Sequence, residues 1–219
     1  LGKVLEYPNN KYSEEAMMMS ADMAYTLKDY ARSLDLYKLL KDKASTPERR
    51  QLVAVGMLRS ASLLGNGEEI ILAATGVLSD AKVNPELANE AYYYRAKALV
   101  QAGQMQHAQN DWEVLAKDTR NVYGAEAKYL LAQQLFDSGK FDAVEEEVLE
   151  FVDAGTPHVY WMARSFILLS DAYVKLDRKL EARQYLLSLK QNYQADDDIS
   201  SMIESRLENL KEEQQNVTE

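Results

Sequence analysis

Residues 130–144 read LLAQQLFDSGKFDAV. The apolar run stops at Ser138-Gly139-Lys140 and restarts at Phe141. Glycine suits such a break, because helices commonly end on a residue with positive φ. The break recurs at Val100-Gln101-Ala102-Gly103-Gln104-Met105 and at Leu63-Leu64-Gly65-Asn66-Gly67. Leu27-Lys28-Asp29-Tyr30 and Leu176-Asp177-Arg178-Lys179 hold the same phase. Five interruptions at intervals of 36 to 38 residues predict an internal repeat.

The prolines keep the same time. They stand at 8, 47, 85 and 157, and the position skipped between the last two falls at Asn121. Thr46-Pro47, Asn84-Pro85 and Thr156-Pro157 each place a capping oxygen before a proline. Proline suits the first helical position, where its missing N–H is not needed. Each period therefore opens with a cap and breaks near its middle, which predicts an antiparallel helix pair. The expected helices are 14–27 and 30–43, 47–64 and 68–81, 85–102 and 105–118, 122–138 and 141–153, 157–176 and 179–193. A last helix is expected over 198–214. Asp196-Asp197-Asp198 opens it, Ile199, Ile203, Leu207 and Leu210 form one stripe, and Glu204, Glu208 and Glu212 face outward, as in the terminal cap of a solenoid. Residues 1–13 read as the end of a preceding repeat, which implies a larger parent, and 215–219 as a tail.

Aligned by phase, the close-packing position of the first helices holds Ala21, Leu58, Ala96, Ala132 and Ser170. Three residues on come Ala24, Ala61, Leu99, Leu135 and Tyr173. The second helices place Ser33, Ile70, Ala108, Val144 and Ala182 early, then Tyr37, Ala74, Trp112 and Leu186. Leu40, Val77, Leu115, Phe151 and Leu189 follow one turn later.

As a set these residues resemble the tetratricopeptide repeat. The fourth unit carries it best, through Ala125-Glu126-Ala127, Leu131-Ala132, Leu135, Gly139 and Phe141. Ala96, Leu99, Gly103 and Ala108 match in the third unit, and Leu169, Ser170, Tyr173 and Ala182 in the fifth. The second departs, with Leu58 in the small position and Gly67 where the turn aromatic belongs. The resemblance spans about residues 8–193, in units longer than the usual repeat of about 34 residues. It implies an all-α, right-handed α-α superhelix of five helix hairpins (14–43, 47–81, 85–118, 122–153 and 157–193) with a C-terminal capping helix. Leu5-Glu6-Tyr7-Pro8-Asn9-Asn10 and Tyr37-Lys38-Leu39-Leu40 look like the variant in bacterial outer-membrane assembly and Tol–Pal-associated repeat proteins. That favours a periplasmic or cell-envelope setting over the cytoplasm.

Charge and composition narrow the partners. The 219 residues are 47% hydrophobic, with only nine glycines and four prolines, a helix-favouring mix. The formal net charge is −10, and −6 of it follows Tyr193 (eight acidic and two basic residues), which argues against nucleic acid as a partner. Zero cysteines exclude disulfides and thiolate metal sites. No apolar run approaches the roughly 18–20 residues of a membrane span, so direct membrane insertion is not expected.

No catalytic, cofactor or metal constellation is expected. His107 and His158 fall in different units, with no second histidine or cysteine at ligand spacing. Gly65-Asn66-Gly67 lacks a preceding strand and a third glycine, and Ser138-Gly139-Lys140 lacks the upstream glycine of a phosphate loop. Asn216-Val217-Thr218 fits a glycosylation sequon inside a charged tail. Glu145-Glu146-Glu147 reads as a solvated face near a helix start.

The runs Met17-Met18-Met19 and Tyr92-Tyr93-Tyr94 share one phase, and successive helical residues point about 100° apart, so no single face takes all three. On the expected inner face, one position holds Met18, Val55, Tyr93, Tyr129 and Ile167, and two turns later stand Tyr25, Ser62, Val100, Phe136 and Val174. Glu15, Glu90, Glu126 and Arg164 flank them, as do Asp22, Arg59, Lys97, Gln133 and Asp171. One reading is a concave groove for an extended peptide or a partner helix, with apolar contacts for affinity and charges for register. The other is packing of first helix against first helix. For Tyr93, Tyr129 and Phe136 together the expectation is a partly exposed patch. Within the resembled family, the lysine and asparagine positions of the carboxylate clamp correspond to Met18, Asp22, Val55 and Arg59, so an acidic C-terminal tail is not the expected ligand. The expected function is a non-catalytic protein-binding module within a larger bacterial repeat protein. The alternative is a scaffold forming homo-oligomers through its N-terminal end.

Overall fold

A computed structural model describes residues 13–216, and among them the chain is all-α, with eleven helices and no strand. These are α1 (Ser13–Thr26), α2 (Tyr30–Lys41), α3 (Pro47–Leu64), α4 (Gly67–Leu78), α5 (Pro85–Gln101), α6 (Met105–Leu115), α7 (Val122–Asp137), α8 (Phe141–Ala154), α9 (Val159–Lys175), α10 (Lys179–Asn192) and α11 (Ile199–Asn216). The expected segment 1–13 lies outside the described residues but for Ser13, as do 217–219 of the expected tail. The described residues pack as two compact units divided between Asp111 and Trp112, each with its own apolar core.

One turn occurs five times among the described residues. Lys28, Gly65, Gly103, Gly139 and Asp177 all have positive φ, between 59° and 73°. The amide of each donates to the carbonyl three residues back, in Tyr25, Ser62, Val100, Phe136 and Val174. The next amide, of Asp29, Asn66, Gln104, Lys140 or Arg178, donates to the carbonyl five residues back, in Ala24, Ala61, Leu99, Leu135 or Tyr173. This pair of bonds closes a helix and reverses the chain. Polar bonds across the pairs join residues placed symmetrically about the turn, as antiparallel neighbours require. Ser33 Oγ donates to Ala21 O at 3.0 Å, Arg95 holds Asp111 at 2.7 Å, Lys128 holds Glu147 at 2.9 Å, and Ser170 Oγ donates to Ala182 O at 3.1 Å.

The close-packing position is fully occupied. Ala21, Leu58, Ala96, Ala132 and Ser170 are all at most 1% exposed, as are Ser33, Ala108, Val144 and Ala182 of the second helices. Most side-chain ties between neighbouring pairs fall at separations of 27 to 38 residues. Arg59 grips Glu90, Arg164 reaches Tyr129, Arg178 reaches Glu145, and Arg206 grips Asp171. In the first unit Leu34, Tyr37, Val53, Met57 and Ile70 pack between neighbouring pairs. In the second, Val148, Leu168, Leu169, Leu186, Ile203 and Leu207 do so.

Thr46 accepts from Arg49 N at 3.3 Å, Asn84 from Glu86 N at 2.8 Å and Asn121 from Tyr123 N at 2.9 Å, each capping the helix that follows. Thr156-Pro157 differs, because α9 begins only at Val159. The Thr156 hydroxyl serves the loop instead. It accepts from His158 N at 3.0 Å and donates to Thr119 O at 2.7 Å, while Thr119 Oγ1 donates to Gly155 O at 2.6 Å. His158 Nε2 lies 2.9 Å from Arg120 O, which completes a clasp between two loops. Several second helices also end short of expectation, at Lys41, Leu78 and Leu115. There Ser79 Oγ donates to Gly76 O, and the carboxylates of Asp80 and Asp118 accept from Lys82 N and Arg120 N, so side chains compete for the backbone that a further turn would use. At Leu40 the carbonyl accepts two following amides and the chain turns inward to bury Ala44. Gly124, early in α7, lies so close to the preceding loop that a Cβ would stand 2.2 Å from Asp118 O and 2.6 Å from Leu115 O.

Candidate functional site

In the first unit α1 presents Met18, Asp22 and Tyr25 at spacings of four and three, which places them along one face. Val55 and Arg59 do the same on α3, with Leu52 one turn earlier and 59% exposed. These side chains line a cleft of about 220 Å³. Tyr37 of α2 forms its floor, over Gly56, where a Cβ would stand 2.2 Å from the ring. The Tyr37 hydroxyl donates to Asp22 Oδ1. Burial, and then the Asp22 carboxylate, push this phenol well above its ordinary pKa, so it stays a neutral donor. Across the cleft Arg59 Nε and Nη2 donate to Glu90 Oε1 and Oε2 at 3.0 and 2.9 Å. That bidentate bond raises the guanidinium's pKa further and ties α3 to α5. Tyr25 stacks edge-on to Tyr30, ring centroids 5.4 Å apart.

Five of the twelve sequence-selected residues thus converge on one cleft. Tyr93 and Lys97 lie together on α5, outside it. Lys97 Nζ is 3.1 Å from the Tyr93 hydroxyl and 4.9 Å from its ring centroid.

In the second unit Phe136 and Asp171 line another cleft, of about 240 Å³, with Val174, Lys175 and Arg206. Arg206 holds Asp171 through bonds of 2.7 Å from both Nε and Nη2, so this carboxylate is already matched. Phe136 is half-buried and sits edge-on to Phe141 across the turn, 5.2 Å between centroids. Tyr129 and Ile167 do not reach a surface. Tyr129 is 8% exposed because α9 lays Trp161 and Arg164 against it, and Ile167 is 1% exposed in the same core. The expected patch therefore loses Tyr129. Its hydroxyl donates to Gln133 Oε1 at 2.9 Å and accepts from Arg164 Nη2 at 2.9 Å, and Gln133 passes a bond on to Asp137.

Of Glu145-Glu146-Glu147, expected as a solvated face, Glu146 is exposed, whereas Glu145 and Glu147 are half-buried and paired. Glu145 accepts from Arg178 at 2.7 Å and from the Tyr173 hydroxyl at 2.8 Å. The Arg178 guanidinium foremost, with that hydroxyl, holds the Glu145 carboxyl below the usual carboxylate range. Glu147 instead accepts from buried Lys128. A further cleft of about 230 Å³ opens in the first unit beside Arg50, Met57, Leu72 and Gly76. Nothing in the sequence pattern marks it; Gly76 lies opposite Ala54 there, a Cβ at 76 standing 3.6 Å from the Ala54 Cβ.

Among the described residues no group of three or more histidine or acidic side chains is placed to hold a metal ion, and no helix is long and apolar enough to cross a membrane. The sequence matches no protein-family model and no curated protein.

Proposed function

We propose that the chain is a tetratricopeptide-type array, a right-handed superhelix of helix hairpins, that captures a segment of a partner protein on the face formed by its first helices. In this reading it is a non-catalytic interaction module of a larger bacterial repeat protein of the cell envelope. The reading is supported chiefly by the convergence of Met18, Asp22, Tyr25, Val55 and Arg59 on one cleft. Those positions come from two helices of different pairs and mix apolar walls with open charge, as peptide-binding grooves do. The fivefold turn and the pair-to-pair ties support the array part of the proposal.

The test is site-specific photo-crosslinking. A photoreactive residue at position 55 is expected to give discrete adducts with a partner in bacterial envelope extract. The same residue at position 39, 58% exposed on α2 and outside the cleft, is expected to give none. Equal labelling from both positions refutes the proposal.

A further inference from the structure

The α1–α3 cleft carries an imbalance that sets what fits it. Asp22 is exposed and receives one neutral hydrogen bond, from Tyr37. Among the described residues no lysine or arginine pairs with it. The cation across the cleft, Arg59, is held on two bonds by Glu90. A carboxylate ligand would have to break that bidentate pair, whereas a cation finds Asp22 open. Met18, Leu52 and Val55 give the walls an apolar surface, and the Tyr25 ring adds an aromatic one. The space of about 220 Å³ equals roughly seven water volumes, room for one long side chain rather than a helix.

Resting on the reading of this cleft as a binding site, we infer that it takes a lysine or arginine side chain flanked by aliphatic residues in an extended partner segment. The methylene stem lies along Met18 and Val55 and the cationic head meets Asp22, the arrangement long basic side chains adopt when their stem is covered. Tyr37 fixes the carboxylate in place, and the Tyr25 ring offers the cation a second favourable surface. The chain's net charge of −10 attracts such a segment from a distance.

Three labelled heptapeptides with a central lysine, norleucine or glutamate between leucines test this by fluorescence anisotropy on the full chain. The lysine peptide is expected to bind about five- to tenfold more tightly than the norleucine peptide, with glutamate weakest. Asp22→Asn keeps an acceptor for Tyr37 and is expected to erase the lysine preference. Asp35→Asn, the same charge change on α2 outside the cleft, is expected to leave it. Norleucine or glutamate binding as tightly as lysine overturns the cation site but leaves the cleft as a binding site. So does an unchanged preference in Asp22→Asn. Equal weakening by both asparagine variants shows attraction to net charge alone and overturns it as well. Failure of all three peptides to bind at millimolar concentration overturns both the cation site and the cleft.

Discussion

Replacing Lys28 by glycine should stabilise the protein, although it removes a side chain. Lys28 stands at φ 62° in the turn that Gly65, Gly103 and Gly139 make at φ 68°, 73° and 72°. An L-residue with a Cβ is disfavoured in the left-handed region by roughly 1–2 kcal/mol. Glycine removes that strain but gives the unfolded chain more freedom, an offset of about 0.4–1 kcal/mol. The Lys28 side chain is exposed, and among the described residues it has no hydrogen-bond or ion-pair partner, so no such contact is lost. The net expectation is a gain of about 0.5–1 kcal/mol. With a urea dependence of ~2 kcal/mol per molar, the midpoint rises by about 0.25–0.5 M. Lys28→Asn controls for the lost charge and should fall between lysine and glycine, because asparagine tolerates this conformation better than lysine does. The reverse change, Gly139→Lys, should lower stability by a similar amount. A Cβ at 139 meets nothing within 4 Å, so only backbone strain is added. Circular dichroism during urea unfolding of all four proteins measures the series. If Lys28→Gly lowers the midpoint while Gly139→Lys leaves it unchanged, positive φ is not what selects glycine at these turns.

Three further outcomes follow from close contacts and charge. Gly124→Ala drives a Cβ into the carbonyls of Asp118 and Leu115, and backbone cannot swing aside as a side chain can; a loss of about 1–3 kcal/mol should appear as a lower melting temperature. Gly76→Ala places its Cβ 3.6 Å from that of Ala54, an ordinary contact in a helix interior, and should gain about 0.5–1 kcal/mol in the same assay. Glu145 has its pKa depressed in the folded protein, chiefly by Arg178, so its contribution is present above the unfolded carboxylate range and lost as pH falls through the folded value. Melting of the parent and of Glu145→Gln should therefore differ at pH 7 and converge as pH drops below about 4; a gap that is constant with pH counts against the linkage.

The local punctuation of this chain was readable without coordinates. Positive-φ turns, capping oxygens and small packing positions are each set within a few residues, so their phase survives even at Lys28 and Asp177, where glycine is missing. What escaped reading depends on distant neighbours. Thr156 has the sequence of a helix cap, yet its hydroxyl is claimed by Thr119, 37 residues away. Gly56 and Gly124 look like weak points in helices until Tyr37 and the Asp118 carbonyl press against them. For the candidate site, phase selected the five residues of the α1–α3 cleft correctly as neighbours. Phase could not separate Tyr129 from Tyr93, because whether an inner-face aromatic stays open depends on what the next pair lays over it. At Tyr129 that is Trp161 and Arg164.

The ties between pairs also bear on how the chain is made. The longest hydrogen bond described above, from the His158 ring to Arg120, spans only 38 residues. Closing such short loops costs little chain entropy, and low contact order goes with fast folding. Within each unit a hairpin can thus dock on the one before it soon after leaving the ribosome, without waiting for the C-terminus. Its apolar seam is then exposed only for the time needed to synthesise the next few dozen residues, which limits the opening for aggregation.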